Sequence, residues 1–342
     1  MTAAPARDAA TRLAALRDPA VRDLAWLLFS PDLLKPRHPG APLADPWESR
    51  DEADAAARWL LELDRDPHAL HRKLAAARLT RLGFYAEALL GWFLAHGPFA
   101  RLVAANVVLR RAGRTLGECD FLVETSRGRR LHWELAVKCY LHAGDGCGLL
   151  SDFVGPNLRD RFDRKLAHLI DHQLRLSARD EFAVLGYTGP WLAQMFVKGW
   201  LFYRAGQQGA STAHEPDELA PDHPRGWWVT HADWPAFAEA QAVDGWSVLP
   251  RLDWLAPRWL DGAIAAGDSS RVPAATVETS WRSSGVAAPA DPRALFETLA
   301  GATEPVMVAA FSADGSGGCT EISRGFIVPD DWPARAHAFA RE

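Results

Sequence analysis

Residues 117–141 read GECDFLVETSRGRRLHWELAVKCYL, and the folding of this stretch decides the reading of the chain. Two runs rich in β-branched and aromatic residues flank TSRGR, where Gly and short polar residues favour a turn. Alternate residues of a strand face the same way. Residues 131–141 therefore divide into Leu131, Trp133, Leu135, Val137, Cys139 and Leu141 on one side and His132, Glu134, Ala136, Lys138 and Tyr140 on the other. In the preceding run, Cys119, Phe121 and Val123 oppose Glu118, Asp120, Leu122 and Glu124. A hairpin at TSRGR sets Asp120 and Glu134 on one polar face, with Lys138 further along it. That face is either the solvated side of an antiparallel sheet or a site where two carboxylates hold a hard divalent cation while Lys138 stabilises charge in phosphodiester hydrolysis.

Working outward, FARLVAANVVLRRAGR adds a strand upstream, broken at RAGR, so that three strands form a meander. Before it, LTRLGFYAEALLGWFLAH reads as a helix. On that helix Glu87 has Gly83, Phe84, Leu90 and Gly91 at i±3 and i±4. A carboxylate in so apolar a setting is costly unless it is paired or coordinates something, and the glycines let the helix approach the sheet. Downstream, residues 158–177 read as one helix with an apolar stripe of Phe162, Leu166, Leu169 and Ile170 continued by Gln173. Arg161, Lys165, His168, His172 and Arg175 form a basic stripe, suited to gripping phosphates or to an ordinary solvated face. Strand-like FAVLGY and LAQMFVKGWLFY follow.

The expected organisation is an N-terminal helical region (1–74), a core (75–204), a polar Gly- and Pro-rich linker or loop (205–225), and a mixed α+β region (226–342). With 342 residues, 48% of them apolar, the chain can bury a sizeable core. A net charge of −5 argues against unselective coating of nucleic acid but allows a local basic patch. No apolar run spans a bilayer and the start lacks a signal-peptide pattern, so a cytoplasmic location without membrane contact is expected. The 4 cysteines form no CxxC pair and read as buried or incidental thiols. Of 15 tryptophans, ten lie between Trp191 and Trp332; core packing is favoured over base stacking. HWE at 132–134 lacks the P-C-x-x-C that a zinc deaminase needs, no G-x-S-x-G elbow is present, and ADGSGG lacks the GK[ST] of a phosphate loop.

The order of helix with Glu87, strand, strand with GECDF, strand with HWELAVK, helix with Gln173 and strand resembles the PD-(D/E)xK nuclease superfamily, whose core is αβββαβ. The chain is also similar to a bacterial domain-of-unknown-function family, DUF1853, assigned to that superfamily. LGFYAEALLGWFL, GECDFLVE, HWELAVKCYL, GPNLRDRFDRKLAHLIDHQL and EISRGFIVPDDWP carry this second likeness across most of 79–332. The resemblance implies an α+β fold with a restriction-endonuclease-like core. It makes Asp120 and Glu134 metal-binding carboxylates, Glu87 the added helix acid of the recombination-nuclease branch, and Gln173 that branch's helix glutamine. Mg²⁺ or Mn²⁺ is the implied cofactor. The lysine departs from the pattern: Ala136 stands two residues after Glu134, and Lys138 lies about 7 Å further along the same face. The expected activity is a metal-dependent, nuclease-like phosphodiesterase acting on nucleic acid, DNA favoured over RNA. Glu87, Asp120, Glu134 and Lys138 are its catalytic set, and Arg161, Lys165, His172 and Gln173 its nucleic-acid contacts. The alternative is a noncatalytic nucleic-acid- or protein-binding module that keeps the fold, with its Trp-rich region carrying the interaction.

Overall fold

The computed structural model describes residues 11–36, 42–144, 148–187, 189–206, 215–262, 285–299, 301–315 and 317–342. Cys147 and residues 207–214 of the expected linker lie outside them. The fold is α+β, and it divides into two compact units, neither a continuous stretch of chain. The first comprises 1–138, 163–199 and 218–223; the second comprises 139–162, 200–217 and 224–342. Two long strands, β3 (Arg130–His142) and β5 (Leu192–Arg204), each begin in the first unit and end in the second.

The first unit opens with helices α1 (Pro19–Phe29), α2 (Arg50–Arg65), α3 (His68–Ala76) and α4 (Leu82–His96). Asp18 starts α1 by accepting from the amides of Ala20 and Val21, with Pro19 in the first turn. Ser49 caps α2 through the Glu52 amide. Helix α4 buries Tyr85, Ala86, Leu89, Leu90, Phe93 and Leu94, and the Tyr85 hydroxyl donates to buried Asp23 at 2.8 Å.

Strands β1 (Arg101–Arg111), β2 (Arg114–Glu124) and β3 form the antiparallel meander that the turn signals imply. Ala112 and Gly113 both have positive φ, 47° and 78°, as a tight primed turn requires. Within the first unit the strand order is β1-β2-β3-β5. Gly199 of β5 has φ 148°, and a Cβ there would lie 1.7 Å from the Lys138 carbonyl, so only glycine permits this approach.

The single helix expected over 158–177 is instead α5 (Phe162–Asp171) followed by a 3₁₀ segment (Gln173–Ala178) and a short α6 (Asp180–Ala183). The break falls at His172, φ −122° and ψ −64°. Beyond it, Gln173 and Ser177 are bonded to side chains of β3, and these tertiary bonds compete with continuation of the α-helical ladder.

In the second unit the order is β5, β6 (Arg225–Thr230), β10 (Cys319–Val328), β9 (Val306–Ala313), β7 (Gly245–Val248). Strands β5, β6 and β10 run parallel and the rest antiparallel; β4 (Phe153–Val154) joins β3 and β8 (Trp259–Leu260) joins β10. Helices α7 (Trp234–Glu239), α8 (Pro292–Leu299) and α9 (Trp332–Ala340) complete it. Trp227, Trp234 and Trp246 pack with Leu295, Val308 and Ile327, so these tryptophans are core. A ring that buries ~200 Å² contributes on the order of 5 kcal/mol of transfer free energy. Among the described residues no helix is long and apolar enough to cross a membrane.

Candidate metal centre

The β2–β3 pairing runs from Glu124↔Arg130 to Phe121↔Trp133. Beyond it, side chains take the place of backbone partners. The Leu135 amide donates to Asp120 Oδ2 at 2.9 Å, and the Asp120 amide points at Glu134 Oε1 at 3.4 Å. Each carboxylate thereby meets an N–H of the opposite strand that would otherwise need another acceptor. The two acids thus stand together where the ladder parts.

Both oxygens of Glu134 have side-chain partners as well. Oε1 lies 2.7 Å from His132 Nε2, and Oε2 accepts from Gln173 Nε2 at 2.6 Å. Lys165 of α5 donates to Gln173 Oε1 at 2.9 Å, placing its positive charge one amide away from the acid. His132 Nδ1 is 2.9 Å from Ser177 Oγ. Both His132 and Glu134 have 0% exposure, so this stretch of the polar face is interior rather than solvated, while Asp120 and Lys138 on the same face are half-buried.

Electrostatics follow from this burial. Desolvation first, then the charge of Glu134, raises Asp120 to about 7. Glu134 also rises to about 7 through desolvation, opposed by the Asp120 amide and Lys165. Glu87, from α4, reaches about 7 through desolvation and then the charges of Asp120, Glu118 and Glu134, with Lys165 opposing. His132 falls to about 4 because burial disfavours its cation, which leaves a neutral imidazole. Three carboxyl groups from α4, β2 and β3 therefore feel one another and the same lysine.

The expected close approach of α4 is present: a Cβ on Gly91 would lie 3.3 Å from the Phe121 ring. Glu87 lines a cleft of about 940 Å³ together with Lys73, Arg78, Phe84, Trp92 and Asn106. Phe84 is 53% exposed there.

Other predicted residues are placed differently. The cation that opposes the rise of all three acids is Lys165, not Lys138. Lys138 stands four residues beyond Glu134 on β3, half-buried, with its carbonyl against Gly199. Arg161 does not extend the Lys165 stripe, because it precedes α5 and its guanidinium donates to the terminal carbonyls of α9, Ala340 O at 3.1 Å. His172 stacks on His168 with centroids 5.0 Å apart and stands against Gly117, where a Cβ would meet its Nε2 at 3.2 Å.

Cys119 is the residue that alternation misassigns. It shares an apolar cluster with Leu122, three positions on, and its Sγ lies within 4.8 Å of ligand atoms of both His132 and Glu134. Asn106, between the paired positions Ala105↔Phe121 and Val107↔Cys119, has φ 55°. His132 could be found in the sequence from its i−2 relation to Glu134. No sequence spacing brings Cys119 to that face.

The family profile described as a domain of unknown function, DUF1853, matches residues 22–328. The chain belongs to the DUF1853 family. Every residue of the acid cluster, with Lys165, Gln173 and His132, falls inside the matched DUF1853 region. No curated protein and no solved structure matches the chain.

Proposed function

We propose that this chain is a metal-dependent, nuclease-like phosphodiesterase whose centre is Glu87, Asp120 and Glu134, built on a restriction-endonuclease-like core. The observation that carries the reading is the gathering of three largely desolvated carboxyl groups from three different elements. Such a group is costly as anions and is relieved by a divalent cation, for which carboxylate oxygens are the ordinary hard ligands. The donor set fits Mg²⁺ or Mn²⁺: Asp120, Glu134 and Glu87 would hold the ion, which when bound supplies Lewis-acid polarisation of a phosphate and an acidified water.

The chain's own groups have definite roles in this reading. Gln173 fixes the Glu134 carboxylate through Oε2, and the Leu135 amide fixes Asp120 through Oδ2. Lys165, rather than Lys138, holds Gln173 and stabilises negative charge that develops on the phosphate. The cleft beside Glu87, with Lys73 and Arg78 at its wall and exposed Phe84, suits a polymer whose phosphates and bases need both kinds of contact.

A second reading rests on Ala136, which stands where the superfamily's lysine is expected. A noncatalytic nucleic-acid- or protein-binding relative would keep the acids as inherited structure. The two are separated by incubating wild type and Glu134→Gln with single-stranded, duplex and branched DNA and with RNA, in Mn²⁺ or Mg²⁺. Metal-dependent cleavage that vanishes in Glu134→Gln supports the enzyme. No cleavage of any substrate, together with no rise in melting temperature at millimolar Mn²⁺, removes it.

A further inference from the structure

We infer that Cys119, His132 and Glu134 form a binding site for a thiophilic divalent transition-metal ion of the Zn²⁺ class, sharing Glu134 with the proposed Mg²⁺ or Mn²⁺ centre. One thiol, one imidazole nitrogen and one carboxylate oxygen lie mutually within 4.8 Å, and all three residues are buried. The separation suits three ligands about one ion, since Zn–S, Zn–N and Zn–O distances of about 2.0–2.3 Å place tetrahedral ligands roughly 3–4 Å apart.

The surroundings resemble the outer shell of a metal site. His132 Nδ1 is bonded to Ser177 Oγ at 2.9 Å, which turns Nε2 toward the cluster. Glu134 Oε2 is held by Gln173 at 2.6 Å, while Oε1 faces His132 Nε2 at 2.7 Å. Outer partners of this kind orient ligating histidines and carboxylates. The donor set also discriminates between ions: sulfur and imidazole favour Zn²⁺, Co²⁺ or Fe²⁺, whereas Mg²⁺ prefers oxygen.

Charge balances in the buried site. Binding replaces the Cys119 S–H bond with an Sγ–metal bond and releases that proton to solvent, while the proton shared by His132 Nε2 and Glu134 Oε1 is given up to Nδ1, where Ser177 Oγ accepts it. The resulting thiolate and the Glu134 carboxylate together neutralise the dication, with His132 as neutral donor. Three protein ligands leave a fourth position for water or another oxygen, as in open rather than closed zinc sites.

Co²⁺ titration of the full chain, after EDTA treatment and desalting, tests this directly. The expected result is a thiolate-to-Co²⁺ charge-transfer band in the near ultraviolet, abolished by one equivalent of Zn²⁺ and absent in Cys119→Ser. Ser177→Ala should weaken Zn²⁺ binding about 10–100-fold as a positioning change. A Cys139→Ser/Cys147→Ser/Cys319→Ser variant, with Cys119 its one remaining thiol, should retain the band and covers the case in which Cys119→Ser does not fold. No band in wild type, or its loss in the triple variant with the fold intact by circular dichroism, overturns the site. Mn²⁺-dependent cleavage and the Mn²⁺ melting shift are scored separately: a Co²⁺ band with neither of them leaves this site standing and removes the nuclease reading, and cleavage without the band does the reverse.

Discussion

Replacing Lys165 by Met asks which lysine serves the acids. Lys165 Nζ is 2.9 Å from Gln173 Oε1, and Gln173 Nε2 is 2.6 Å from Glu134 Oε2. Across that amide the charge lies on the order of 7 Å from the carboxylate, worth about 2 kcal/mol at an effective dielectric of about 20. Its removal should move the pH midpoint of Mn²⁺ binding upward by roughly 1–2 pH units, because protons then compete better for Glu134 and its neighbours. At pH values above that midpoint, Mn²⁺ should bind at least as tightly as to wild type, since a repelling cation is gone. Cleavage should nevertheless fall about 10²–10³-fold, the usual loss when a stabiliser of transition-state charge is deleted. Calorimetric Mn²⁺ titrations from pH 6 to 9 and oligonucleotide cleavage rates measure both quantities, with Lys138→Met as the comparison. A Lys165→Met protein that cuts at the wild-type rate, beside an inactive Lys138→Met, would refute the assignment and restore the strand lysine.

Other outcomes follow from the same geometry. Because Glu87, Asp120 and Glu134 titrate near 7 when folded and near 4 when unfolded, the folded state binds more protons between those values. The metal-free protein should therefore lose stability as pH rises through 7, and Glu134→Gln should flatten this dependence in thermal melts; an unchanged slope would contradict the burial argument. In the second unit, Arg324 bonds Glu321 at 2.5 and 2.8 Å, donates to the carbonyls of Trp254, Leu255 and Ala256, and lies over the Trp200 ring. Arg324→Met should cost about 3–5 kcal/mol in denaturant unfolding, with Glu321→Leu added on top recovering part of it, as expected when a lone buried charge is removed. Phe84→Ala, at an exposed position, should weaken binding of a labelled single-stranded oligonucleotide in EDTA by about 1–3 kcal/mol without lowering the melting temperature; equal anisotropy curves would remove Phe84 from the strand path.

Much of this architecture is local chemistry, legible in the chain. Asp18-Pro19 and Ser49 start helices because their side chains satisfy the first free amides. Ala112-Gly113 and Gly128 turn the meander because those positions need positive φ. The apolar setting of Glu87 already marked it as a costly carboxylate, and alternation placed Glu134 beside His132. Tertiary structure decided what neither period nor spacing encodes. The strand ladder stops at Phe121↔Trp133, so that Asp120 and Glu134 occupy the gap, Glu134 fully buried and Asp120 half-buried rather than wet. The basic helix breaks at His172, so that Gln173 and Ser177 reach β3 while Arg161 turns to α9. The cation beside the acids comes from α5 because helix and strand meet only in the folded chain, and Cys119 comes to lie beside His132 and Glu134 only where β2 packs in the folded sheet. Sequence alone determined which residues carry charge and which turns are possible; long-range packing set which of those charges share one dry space, because desolvation and proximity exist only between elements distant along the chain.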